Sequence, residues 1–159
     1  MKNAVVYICG AGPGDPDLIT VKGHNLLKKC DVVLYDRLVS TSLIEMIPSK
    51  TEKIYVGRAR KATQFHQSRT NRLMVSYIRQ GKNVLRLKGG DPLIFGRGAE
   101  EAEYLRRHNI RFEIVPGISS AIGGPTYAGI PLTHRRYSSS VAIVTGHEDR
   151  MKSRHKVDL

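Results

Sequence analysis

The sequence has no tryptophan and only three phenylalanines, so the aromatic platforms on which single-stranded nucleic acid stacks are scarce. Cysteine is nearly as rare. Cys9 and Cys30 form no CxxC pair and stand beside apolar runs, which predicts buried free thiols and argues against a disulfide framework. Apolar stretches stay short, Val32 to Tyr35 being typical, far below the roughly 20 residues of a bilayer crossing. Met1-Lys2-Asn3 leads into Ala4 to Cys9 and then at once into "GAGPGDP", which is not the pattern of a signal peptide; a cytoplasmic location is the expectation. None of the six histidines has an H-E-x-x-H-like spacing, so no metal site is expected. Acidic residues are the scarce charge, with 14 Asp and Glu against 26 Lys and Arg, for a formal net charge of +12. That excess favours an anionic partner. The basic residues are scattered in small groups such as Lys28-Lys29, Arg106-Arg107 and Arg135-Arg136, which together with the thin aromatic content weighs against nucleic acid.

What is present suits a globular chain: 159 residues, 40% hydrophobic and 25% charged, enough to enclose a core. Short apolar runs alternate with longer segments of helical period, the pattern of a parallel sheet with helical crossovers. Strands are predicted over residues 4–9, 31–35, 53–56, 83–87 and 111–115, and helices near 18–29, 42–47, 67–79 and 98–108, with another after Pro116-Gly117. The fold class is therefore α/β, an open and mostly parallel sheet with flanking helices. Asp15-Pro16 and Asp91-Pro92 each read as a helix cap followed by proline at the first helical position, and Ser42 with Glu45 has the spacing of a capping box. A polar stretch punctuated by Gly and Pro, Tyr127 to Ser140, precedes an apolar run, Val141 to Thr145, read as a new strand. The domain is accordingly drawn over 1–135, with 136–159 a linker and the first strand of a second unit.

Gly-Asp-Pro occurs twice, at Gly14-Asp15-Pro16 and Gly90-Asp91-Pro92. Each copy follows a strand, so both belong to the rim beyond the carboxyl ends of the sheet, where open α/β folds bind ligands. A dinucleotide site fails on spacing, because the third glycine of G-x-G-x-x-G falls on Asp15. A carboxylate about 4 Å from a pyrophosphate costs roughly 1 kcal/mol in water and several times that near a protein surface. No Walker sequence is present either. A neutral or cationic nucleoside suits these loops better than a nucleotide phosphate. In "RLKGGDPLIFGRG", Gly89, Gly90, Gly96 and Gly98 crowd around Asp91, which suggests a ligand pressed against bare backbone; turns that need positive φ are the alternative at each.

Five segments, "GAGPGDPDLITVKG", "DVVLYDRLVS", "RLKGGDPLIFGRGAEEAE", "VPGISSA" and "GIPLTHR", together resemble the tetrapyrrole methylase superfamily, most closely its uroporphyrinogen-III C-methyltransferase branch, from about Val5 to His147. The resemblance implies methylation of uroporphyrinogen III to precorrin-2, for sirohaem or cobalamin, with S-adenosyl-L-methionine as cofactor and S-adenosyl-L-homocysteine as product. It also implies a homodimer whose protomers hold the cofactor between two α/β domains. The second domain is nearly absent from this sequence, so the 159-residue form alone is expected to be inactive. Carried over by position, the cofactor contacts are Pro13, Gly89, Gly90, Asp91, Ile94, Ser119 and Ser120; the family often has threonine where Ser119 stands, and the hydroxyl is kept.

Asp36, in "YDRLV", matches the family's general base, which would accept the proton released from the macrocycle after methyl transfer. A solvated or capping aspartate after a strand is the structural alternative. Arg58 stands where relatives have a lysine regarded as proton donor. At neutral pH a guanidinium of pKa about 13 surrenders a proton at a cost of roughly 8 kcal/mol, against about 5 for an ordinary lysine. Arg58 is thus a poor acid and a better bidentate clamp for a substrate carboxylate. Lys61 could supply an ammonium if its loop bends inward; a solvated basic loop is the plain alternative for the whole cluster. The polycarboxylate tetrapyrrole would also account for the basic excess, through Arg37, Arg58, Arg97 and Arg135 near the inferred rim. Two other functions stay open: another methyltransferase of the superfamily, and a basic nucleic-acid-binding module.

Overall fold

The computed structural model describes residues 4–57 and 65–145. Val32-Val33-Leu34 offers an apolar side chain at every position, as a strand covered on both faces requires. It lies in β2 (Val32–Tyr35), with β1 (Val6–Gly10), β3 (Glu52–Tyr55), β4 (Val84–Lys88) and β5 (Phe112–Val115) completing a sheet of order β3-β2-β4-β1-β5. Every pairing is parallel, and Val84 stands level with both Val6 and Val32. The connecting helices are α1 (Val21–Lys29), α2 (Thr41–Glu45), α3 (Phe65–Arg79) and α4 (Gly98–Arg107), and α5 (Ser120–Tyr127) follows β5. Among the described residues no helix is long and apolar enough to cross a membrane.

Alternation along the strands separates two cores. Leu85 and Leu87 of β4 join Cys9 and Val33 beneath Leu27 of α1 and Leu43 of α2, while Val84 joins Val6, Ile8 and Leu34 beneath Met74 of α3 and Leu105 of α4. Each such side chain, once buried, stabilises the fold by about 1.5–3 kcal/mol. Burial also pushes the thiols of Cys9 and Cys30 up to about 12, so both remain protonated and inert as reactive groups. The same division builds the crevice. The chain leaves β1 and β2 for α1 and α2 on one face, but leaves β4 for α4 on the other. Loops therefore part on either side of β4, and the opening lies at its carboxyl end.

Local starts differ from the sequence expectations. Asp15 caps a single 3-10 turn, Pro16–Leu18, accepting the Asp17 N–H at 2.9 Å. Ile19 and Thr20 are then extended, and α1 begins at Val21 with Thr20 Oγ1 accepting the Gly23 N–H at 3.1 Å. Ser42 lies inside α2, whose cap position is Ser40, so the Ser42–Glu45 capping box does not form. Asp91-Pro92 starts no helix: Asp91 Oδ1 accepts the Leu93 N–H at 2.8 Å, an Asx turn, and α4 begins only at Gly98. Val141 to Thr145 forms no strand, because no described segment lies alongside to complete a ladder; Val141 and Val144 are exposed.

The chain divides into two compact units, one to Ser120 and one from Ala121; the 135/136 boundary read from the sequence lies inside the second. In that second unit a tight turn pairs His134 with Ser138 and stacks the His134 ring on Tyr137 at 4.6 Å.

The crowded glycines have an internal explanation. A Cβ on Gly10 would lie 2.5 Å from the Gly90 carbonyl oxygen and 2.6 Å from Gly117 Cα, and one on Gly117 would lie 2.3 Å from that same oxygen. At Gly89 it would meet the Leu38 side chain at 2.5 Å. Main chain and a neighbouring side chain already exclude substituents at these positions, so the absence of side chains at Gly10, Gly89 and Gly117 needs no ligand to explain it. Gly10→Ala should therefore destabilise the chain by about 1–3 kcal/mol or more, whereas Gly124→Ala, with nothing within 4 Å of the added carbon, should cost nothing; thermal unfolding of the two variants checks the contrast, and equal midpoints would contradict it.

Candidate active site

Three loops meet beyond the strand ends. After β1, Ala11 donates to the Lys88 carbonyl at 2.7 Å, then Gly12 and Gly90 exchange hydrogen bonds of 3.3 and 2.8 Å. Gly90 holds φ of 65°, a conformation glycine reaches at little cost. Asp91 completes the joint, for its Oδ2 accepts the Gly117 N–H at 3.0 Å while Oδ1 shapes its own turn. One carboxylate thus ties the β4 loop to the chain following β5.

Above this joint opens a cavity of about 520 Å³. Pro13, Gly89, Gly90 and Asp91 line it, together with Ser119 and Ser120. Asp36 and Ile94 lie on the same cavity. Of the catalytic and cofactor-contact residues expected from the sequence, only Arg58 is missing from that group, and it lies outside the described residues, as does Lys61; Gly57 is a lining residue, whereas Arg135, expected near the rim, is not. Leu38 and Phe95, both largely exposed, give the rim apolar surface. Phe95 and Arg97 have φ of 51° and 60°, a left-handed backbone that costs side-chain-bearing residues about 1–3 kcal/mol each. Arg97 is steadied by Glu100, with Nε 3.0 Å from Oε1.

The strongest electrostatic feature was not foreseen from the sequence. Arg86 and Lys88, two apart on β4, project to the α3/α4 face and meet Glu101 of α4, which is fully buried. Glu101 Oε1 lies 3.0 Å from Arg86 Nε, and Oε2 lies 3.0 Å from Lys88 Nζ. Arg86 reaches on through Nη2 to Asp36 Oδ2 at 3.3 Å, and its Nη1 donates to the carbonyls of Leu34 and Leu87 at 3.4 and 3.1 Å. Asp36 Oδ1 meanwhile accepts the Leu38 N–H at 3.1 Å. Asp36 therefore shapes the turn after β2 and lines the cavity at once, but it caps no helix, because the cap position of α2 is Ser40. The available signal was "VLRLK" itself: cations alternating with leucine in a strand buried on both faces demand a buried anion.

Burial, and next the neighbouring Arg86 guanidinium, hold the Lys88 ammonium below the ordinary lysine value of 10.5, against the opposing pull of Glu101.

An open parallel sheet with glycine turns and a carboxylate at the crevice beside its central strand defines an open α/β domain of the kind whose crevice lies beyond the carboxyl ends of its strands. Comparison with known proteins gives the family. Residues 5–158 match the model of the Tetrapyrrole (Corrin/Porphyrin) Methylases, and the chain belongs to that family. It is 55% identical over 143 residues to a siroheme synthase of Hydrogenovibrio crunogenus, covering 90% of this chain and 30% of that protein. It is similar to the native uroporphyrin III C-methyl transferase of Thermus thermophilus at 47% identity and a TM-score of 0.71, covering 83% of this chain and 55% of that one. A Thermus thermophilus uroporphyrin-III C-methyl transferase complexed with S-adenyl homocysteine gives 45% identity and a TM-score of 0.69, with 83% and 51% covered. The chain thus spans about 30% of the length of that siroheme synthase and about half of these solved structures.

The depressed Lys88 value sets a pH dependence. Between it and 10.5 the unfolded chain binds more protons than the folded one, so this residue's contribution to stability rises with pH. The unfolding free energy of the native chain minus that of Lys88→Met should increase as pH climbs toward 10.5; a difference that stays flat in denaturant titrations across that interval would contradict the assignment.

Proposed function

We propose that this chain forms the first part of an S-adenosylmethionine-dependent C-methyltransferase acting on uroporphyrinogen III to give precorrin-2, in the route to sirohaem or cobalamin. The observation that carries the reading is the joint between Gly12 and Gly90, with a cavity opening directly above it and Asp36 on its wall. A volume of about 520 Å³ is within the range of small-molecule sites, roughly 300–1,000 Å³. The donor set also suits a cationic nucleoside: Asp36 and Asp91 line the cavity beside main chain without side chains, and no phosphate-binding lysine loop is present. Pro13, Gly89, Gly90, Asp91, Ile94, Ser119 and Ser120 would hold the cofactor. When bound, S-adenosylmethionine supplies an electrophilic methyl group.

Asp36 is the base. Its Oδ2 is oriented by Arg86 at 3.3 Å and its Oδ1 by the Leu38 amide, which leaves a fixed, partly exposed carboxylate able to take the proton from a methylated pyrrole carbon. Arg37 and Arg97 also line the cavity and draw the carboxylates of the tetrapyrrole toward it. Arg58 serves as a further carboxylate clamp. The working enzyme is a homodimer, and cofactor binding is completed by sequence that the longer relatives carry.

Calorimetric titration with S-adenosylhomocysteine, on this chain and on a form extended to the length of the Thermus enzyme, tests the reading. Saturable binding is expected, and in the extended form Asp36→Ala should lower turnover of uroporphyrinogen III by about 10²-fold or more while changing the cofactor Kd by less than about twofold. Absence of binding in both forms, or full turnover without the carboxylate, would contradict it.

A further inference from the structure

We infer that Glu101 is a positioning residue for Asp36, acting through Arg86. The inference rests on the methyltransferase reading of the cavity for its consequence in turnover, but its geometric basis stands separately. Glu101 is fully buried, and each oxygen meets a different cation, Arg86 Nε and Lys88 Nζ, both at 3.0 Å. A guanidinium is planar and rigid, so fixing Nε fixes the directions of the other two nitrogens. The carbonyls of Leu34 and Leu87 take Nη1, and Nη2 is left aimed at Asp36 Oδ2, 3.3 Å away.

Lys88, Glu101, Arg86 and Asp36 thus form one chain of alternating charge from β4 to helix α4, back to β4 and on to the loop after β2, and its last member lies on the cavity. Well-packed apolar residues commonly replace buried ion pairs without loss of stability. A fold that needed only packing at this place would be served by a leucine on β4 and another on α4. The charged arrangement does something leucine cannot: it sets one carboxylate at the cavity wall in a single orientation, with Arg86 secured from behind by Glu101.

Glu101→Gln keeps the size and one acceptor while removing the charge. In the extended enzyme turnover should fall about tenfold or more, with the KM for the tetrapyrrole and the Kd for S-adenosylhomocysteine changed by less than about twofold. In an Asp36→Asn background the same substitution should cost less than about twofold, because the residue it positions is already disabled. Losses that multiply, or a KM that rises in step with falling turnover, would overturn the inference. The cycle is repeated on the unliganded chain as unfolding equilibrium constants, where non-additivity of about threefold or more is expected and simple additivity overturns the coupling. If the native protein neither binds S-adenosylhomocysteine nor methylates, the functional reading fails while the stability cycle still decides the link between the two carboxylates. Should Glu101→Gln not fold, Glu101→Gln with Lys88→Met removes one charge of each sign and carries the same cycles.

Discussion

Main-chain contact between Gly10, Gly90 and Gly117 is the constraint on which the carboxyl edge of the sheet depends. Gly10 and Gly117 approach the Gly90 carbonyl so closely that neither tolerates a Cβ. Three loops from β1, β4 and β5 are thereby drawn to one place, where hydrogen bonds between Gly12 and Gly90 and the Asp91 carboxylate lock them. The geometry of the cavity follows. Its floor is backbone because side chains are excluded beneath it, and its walls are whatever the adjoining strands place at their ends.

On the α3/α4 face the same strand that carries the Gly89-Gly90 turn carries Arg86 and Lys88. Burying Arg86, Lys88 and Glu101 costs several kcal/mol per ion unless partners and hydrogen bonds repay it. Here each carboxylate meets a cation and Arg86 also donates to two carbonyls, so the network is well satisfied even though it holds Lys88 below its ordinary value. Backbone packing fixes where the cavity is; this network fixes how its carboxylate points. The two effects share β4, which explains why one short segment, Arg86 to Asp91, governs so much of the site.

The strands were legible because Val32 to Leu34 and Val84-Leu85 are apolar at successive positions, and the shared rim of the two Gly-Asp-Pro turns followed from parallel topology. Other features were hidden for definite reasons. An Asx turn and a helix cap use the same bond from an aspartate to the amide two residues on, so Asp91-Pro92 carried one signal for either outcome. Glycine reports that no side chain fits, not whether protein or ligand fills the space, and at Gly10, Gly89 and Gly117 protein fills it. Glu101 lies among Glu100 and Glu103, whose side chains are 54% and 67% exposed, and no local pattern separates the one fully buried acid from its solvated neighbours. Pairing it with β4 required the tertiary arrangement.

The most direct test of the account is a crystal structure of the form extended to the length of the Thermus enzyme, grown with S-adenosylhomocysteine. Density for the nucleoside in the cavity above the Gly12–Gly90 joint, in contact with Pro13 and the Gly89-Gly90-Asp91 turn, is the result predicted. Nucleoside density at another place, or a cavity that stays closed to it at saturating concentration, would contradict the central claim.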